Sequence, residues 1–128
     1  MSVYRTKVFS RFARKNKITD RALLAAAQDV ADGNYDADLG GGLYKQRVPR
    51  EGGGKSGGFR TLITHRVSDH FFFVYGFGKN QTSNINDSEE KALKKIAETL
   101  GNLSEEEIAK SLEDGALVII EEEDDDEN

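Results

Sequence analysis

The run from His70 to Gly78, His-Phe-Phe-Phe-Val-Tyr-Gly-Phe-Gly, is apolar at consecutive positions rather than alternate ones. Successive side chains of a strand point to opposite faces, so this strand needs cover on both sides. It predicts a central strand with packed layers above and below. The chain has 128 residues, enough for one domain around one such sheet and too few for two.

Two more strands precede the central one. Leu43 to Val48 is closed by Pro49, and Phe59 to Arg66 follows the loop Arg50 to Gly58. A turn around Ser68 and Asp69 leads on, and three strands with short links predict an antiparallel meander. Near the N-terminus, Val3, Tyr4, Val8 and Phe9 predict a first strand over Val3 to Phe9. The basic stretch Ser10 to Lys17 fits a short helix or a turn. Thr19 or Asp20 caps a helix through Leu23, Leu24, Ala27 and Val30, with Gly33 as its stop. Asn34 to Gly42 reads as a connection.

After the meander, Asp87 and Glu90 suggest a loose cap for a helix with the stripe Leu93, Ile96, Ala97 and Leu100, ended by Gly101. Ser104 with Glu107 is a capping box for a second helix through Ile108 and Leu112, stopped by Gly115. Ala116 to Ile120 predicts a short strand. The acidic run Glu121 to Glu127 predicts a disordered tail over 121–128, leaving 1–120 as the folded domain.

The net charge of −5 hides a segregation. Through Lys79, 14 Lys and Arg stand against 7 Asp and Glu, a balance of +7; from Asn80 onward 4 stand against 16, a balance of −12. A basic body fits an anionic partner such as RNA or an acidic protein, and chance asymmetry fits it too. Cysteine is absent, which excludes disulfides and thiolate metal sites. The residues Met1 to Ser10 lack a signal-peptide pattern and no apolar run is long enough to span a membrane. The expectation is a cytoplasmic protein without membrane contact.

The string Gly52-Gly53-Gly54-Lys55-Ser56-Gly57-Gly58 resembles a phosphate loop at first sight. It fails on spacing, because the required first glycine is Pro49, and a strand rather than a helix follows the lysine. A flexible hairpin loop, or a loop offering amides and Lys55 to a phosphate, remains. Lys45 and Arg47 are two apart on one strand and share a face. Arg60 lies on the neighbouring strand, so pairing would gather Lys45, Arg47, Arg60 and Lys55. Clustered cations suit a phosphodiester transition state, which gains negative charge on its oxygens. Crowding also depresses cation pKa values, which would let Lys45 act as a base. A solvated sheet face explains the same residues. His65 and His70 flank a turn without a nucleophile beside them and read as structural. The aromatic run fits core better than base stacking. Asp36 and Asp38 lack the further ligands of a metal site.

Four blocks together carry a resemblance: Asp38-Leu39-Gly40-Gly41-Gly42, Lys45-Gln46-Arg47, Gly54 to Arg60, and Phe73 to Lys79. They resemble the RelE-like toxins of bacterial toxin–antitoxin systems, over about Val3 to Ile120. The resemblance implies an α+β fold: a compact antiparallel sheet with the N-terminal helices on one side and the C-terminal helices after the meander. It implies a metal-independent endoribonuclease, needing no cofactor, that cuts mRNA, usually in the ribosomal A site, through attack of the 2′-hydroxyl on the adjacent phosphate. It implies an antitoxin protein as partner. By position, Lys45 and Arg47 match the family's basic pair, Arg60 the arginine on the scissile phosphate, and Lys79 a basic residue after the last strand. Lys55 and Lys79 would bind RNA. The chain departs from the best-known enzymes at Asn80, where they have arginine, and at Ile85 or Asn86, where they have a base-stacking tyrosine. The general acid and the stacking platform are thereby unassigned. A member of the fold that binds RNA or antitoxin without cleaving, or one that targets a protein such as gyrase, is the alternative.

Overall fold

The computed structural model describes residues 1–50, 58–65, 69–78 and 85–121. The elements run β1 (Ser2–Thr6), α1 (Lys7–Lys15), α2 (Asp20–Ala31), β2 (Ala37–Gly40), β3 (Leu43–Val48), β4 (Phe59–His65), β5 (His70–Gly78), α3 (Asp87–Gly101), α4 (Glu105–Glu113) and β6 (Leu117–Ile120). The fold is α+β, with one six-stranded sheet in the order β2-β3-β4-β5-β1-β6.

The twice-apolar run sits inside this sheet. Phe71 and Phe73 join the core beneath α1 and α2, with Phe9, Ala13, Leu23, Ala26, Ala27 and Val30. Phe72 and Val74 join the opposite core, with Leu93, Ala97, Ile108 and Leu117. The N-terminal helices therefore cover one face and the C-terminal helices the other. Phe9 stacks on Phe73 with ring centroids 5.0 Å apart, and burying a phenylalanine contributes about 1.5–3 kcal/mol. The meander β3-β4-β5 is antiparallel as its short links require. The pairing of β1 with β5 is parallel, so the whole sheet is mixed rather than purely antiparallel. α1 and the rest of the N-terminal half supply the long crossover that a parallel pair needs.

Local boundaries differ from the sequence expectation where capping outweighs β propensity. The first strand ends at Thr6, whose hydroxyl accepts from the Phe9 N–H, so Val8 and Phe9 belong to α1. That segment is a helix and begins earlier than the basic stretch suggests. Thr19 caps α2. The stretch predicted as a connection contains the edge strand β2, paired with β3. Asn86, not Asp87, caps α3, in a capping box with Glu89. Gly101 lies within α3 and Asn102 closes it. Ile96 is exposed, which narrows the buried stripe to Leu93 and Ala97, with Leu100 partly buried against them. Ser104 and Glu107 form the capping box of α4, and Gly115 follows it at φ 85°. No described helix is long and apolar enough to cross a membrane. Apart from Glu121, the acidic run lies outside the described residues.

Candidate functional site

The register of β3 against β4 sets the geometry. Lys45 faces Leu62, and Arg47 faces Arg60. Directly opposed residues of an antiparallel pair share a face, with Cβ atoms about 5 Å apart. Leu43 and Leu62 belong to the core under α3, so Lys45, Arg47 and Arg60 lie on that face as well. Arg47 is exposed, while Lys45 and Arg60 are partly exposed. Three of the four cations that the sequence reading grouped, Lys45, Arg47 and Arg60, thus share one face at one end of the β3-β4 pair. Lys55 and Lys79 lie outside the described residues, as does Asn80.

Two aromatic side chains join this face because β5 is irregular. Leu62 pairs with Tyr75 and Ile63 with Phe73, which leaves Val74 as an extra residue on β5. A bulge of this kind reverses the alternation beyond it. Tyr75 then packs toward α3, Gly76 meets the Phe12 ring on the opposite face, and Phe77 stands opposite Arg60. The Tyr75 hydroxyl donates to the Glu89 carboxylate at 3.4 Å. Burial, then the negative charge of Glu89, raises the Tyr75 pKa and keeps the phenol protonated.

Asp36 enters the cluster from the turn before β2. Its carboxylate lies 3.3 Å from Arg60 Nε, with the side chains 30% and 16% exposed respectively. Lys45 and Arg47 make no ion pair with any other described residue. Gln46, between them, points to the other face and is buried. Its amide nitrogen donates to the Asn34 carbonyl at 2.9 Å and to the Ala26 carbonyl at 3.3 Å, and its carbonyl oxygen accepts from the Arg47 N–H at 2.9 Å. The backbone carrying Lys45 and Arg47 is thereby fixed to α2.

Sequence reasoning missed Asp36, Gln46 and Tyr75. Gln46 had a readable signal, being polar at an inward strand position between Tyr44 and Val48. Asp36 had none beyond its charge. The histidines are elsewhere: His65 stacks on Phe71 with centroids 4.0 Å apart, on the face away from Arg60. His70 contacts the Glu105 carboxylate at 3.0 Å. Asp38 accepts from the Gly40 N–H in a local turn. Asn86 is committed to its helix cap, where its side chain accepts from the Glu89 N–H at 2.8 Å, and Ile85 packs against the core. Neither is placed as a stacking platform.

Such a row of cations can bind a phosphodiester and hold charge that develops on its oxygens. The sequence model of one protein family, described as RelE toxin of RelE / RelB toxin-antitoxin system, matches residues 1–120. No curated protein matches the chain.

Proposed function

The chain belongs to the RelE toxin family, the toxin side of RelE/RelB toxin–antitoxin systems, and on that premise we propose that it is an endoribonuclease that cuts mRNA in the ribosomal A site. The observation that carries this reading is the juxtaposition of Lys45, Arg47 and Arg60 on one partly open sheet face. In the reaction, the ribose 2′-hydroxyl loses its proton and attacks the adjacent phosphorus. The bond from phosphorus to the 5′ oxygen breaks, and that oxygen takes a proton. Arg60 stabilises the phosphorane-like transition state, whose added negative charge a guanidinium can hold at two oxygens. Lys45 and Arg47 activate the hydroxyl and hold the phosphate. Lys55 and Lys79 steer the RNA. These side chains supply the positive charge, so the reading calls for no metal ion and no cofactor. The protein partner is a cognate antitoxin, whose acidic or amphipathic segment would complement the basic body. The site of action is the cytoplasm.

Toe-printing on translating ribosomes tests the proposal. Wild-type protein should produce cuts within the A-site codon, and Arg60→Ala should lower the cleavage rate on the order of a hundredfold. Lys45→Ala should be similarly severe. His65→Ala, on the far side of the sheet, should leave cleavage by the folded protein unchanged. Undiminished cutting by a folded Arg60→Ala variant would sink the assignment. The commitment of Asn86 to the helix cap favours a second reading, RNA binding without cleavage. In that case ribosomes stall with intact mRNA.

A further inference from the structure

Residues 34–36 form a strap that β3 holds at each successive position. The Asn34 carbonyl accepts from the buried Gln46 amide at 2.9 Å. The Tyr35 ring packs on Tyr44 with centroids 4.9 Å apart. The Asp36 N–H donates to the Lys45 carbonyl at 2.9 Å. These contacts deliver one charged group, the Asp36 carboxylate, to Arg60. Arg60 is partly buried while Asp36 stands at the exposed edge of the strap, so the pair is held by the strap's contacts more than by shelter from solvent.

Which nitrogen the carboxylate takes decides what the pair can do. A guanidinium presents Nε on its inner side and two terminal nitrogens on its outer edge. The outer edge is the one that can bind two phosphate oxygens while Nε is occupied. A carboxylate on that edge would compete with the phosphate. The ion pair of Asp36 with Arg60 is made at Nε, 3.3 Å away, on the inner side of the guanidinium. We propose that Asp36 is a positioning residue for Arg60, holding its guanidinium at Nε so that the two terminal nitrogens face the scissile phosphate. This rests on the cleavage reading above. The carboxylate has a second effect, since Arg47 and Arg60 face each other across the β3-β4 pair and like charges so placed repel. Neutralising one arginine lets the row stay together before RNA arrives.

The test uses the full chain on programmed ribosomes. Single-turnover cleavage is measured for wild type, Asp36→Asn, Asp36→Glu, Arg60→Ala and the double variant Asp36→Asn with Arg60→Ala. Affinity is measured with the same message carrying a 2′-deoxyribose at the cleavage position. A misplaced transition-state contact should slow cleavage by Asp36→Asn about tenfold or more. Affinity for the deoxy message should stay within about threefold of wild type. Asp36→Glu should recover part of the rate. In the Arg60→Ala background Asp36→Asn should cost nothing further. An additive loss in the double variant overturns the proposal, because Asp36 would then act independently of Arg60. Faster cleavage or tighter binding by Asp36→Asn also overturns it, because the carboxylate would then be a mask.

A second readout needs no cleavage and no variant. In ¹⁵N-labelled wild-type protein, the Arg60 Nε–H signal should stay protected from exchange when a short deoxy-substituted RNA is added, while the terminal N–H signals shift. Loss of Nε–H protection, or no change anywhere in the Arg60 side chain, overturns the proposal. If wild-type protein binds RNA with the expected shifts and yet never cleaves, the function reading fails and the placement of Asp36 stands.

Discussion

Thr61 and Thr64 are both buried on β4, yet they differ in what their hydroxyls meet. Thr61 donates to the Gln46 carbonyl at 3.0 Å. The Thr64 hydroxyl oxygen is buried with no hydrogen-bond partner among the described residues. An unpaired buried hydroxyl costs about 1–3 kcal/mol, whereas a methyl of the same shape carries no such penalty. Thr64→Val should therefore raise the free energy of unfolding by about 1 kcal/mol, and Thr61→Val should lower it by a similar amount. Urea denaturation of the two variants checks this, and a loss of stability in Thr64→Val would mean that the hydroxyl has a partner. The same residue scale shows what could be read in advance. Lys45, Arg47 and Arg60 were legible as a cluster because a period of two and a short hairpin fix which side chains share a face. Asp36 was not, because its contact with Arg60 depends on how the chain leaves α2 and docks on β3, which local pattern does not encode.

At the scale of elements, the double-sided apolar strand, the meander and two of the four helix starts, those of α2 at Thr19 and α4 at Ser104, follow from periodicity and capping chemistry. The misreadings share one cause, competition between neighbouring local signals. Val8 and Phe9 are β-prone, yet the Thr6 cap recruits them into α1, where Phe9 is buried and Val8 is exposed. The bulge at Val74 is the least legible feature, because consecutive apolar residues give no sign of a phase change. It is also the feature that turns Gly76 toward α1. A Cβ built on Gly76 would lie 2.4 Å from the Phe12 ring. That ring packs on Phe9 and Phe59, with centroids 5.8 and 5.7 Å away, so swinging it aside gives up those contacts. Gly76→Ala should destabilise the protein by about 1–3 kcal/mol through overpacking. Thermal melting provides the measurement. A second variant carrying Gly76→Ala with Phe12→Leu should regain part of the loss, and failure of that rescue would place the cost in the backbone rather than in the ring.

Over the whole molecule, the charge segregation outweighs any single pair. The cations of the site and those of α1 belong to the basic stretch, while α3 and α4 carry the acidic residues Asp87, Glu89, Glu90, Glu105, Glu106 and Glu107 in their first turns. Those acids suit helix N-termini, so part of the acidic balance has a local structural use. Residues 122–128 add six further carboxylates to the sequence. Removing residues 122–128 changes the formal net charge from −5 to +1. A polyanion such as RNA responds to the summed field as well as to contacts, and the field reaches about 30 Å at 0.01 M salt but only about 3 Å at 1 M. A chain ending at Glu121 should therefore bind RNA more tightly than the full chain at low salt, with the advantage disappearing as salt rises. Its melting temperature should match that of the full chain, because every described core residue lies at or before Ile120. Fluorescence anisotropy with a short RNA across a salt series measures the first effect and calorimetry the second. Equal affinities at low salt would show that the terminal carboxylates do not contribute to the field that RNA meets. A gain that persists at high salt would instead mark a direct contact between those residues and the RNA-binding face.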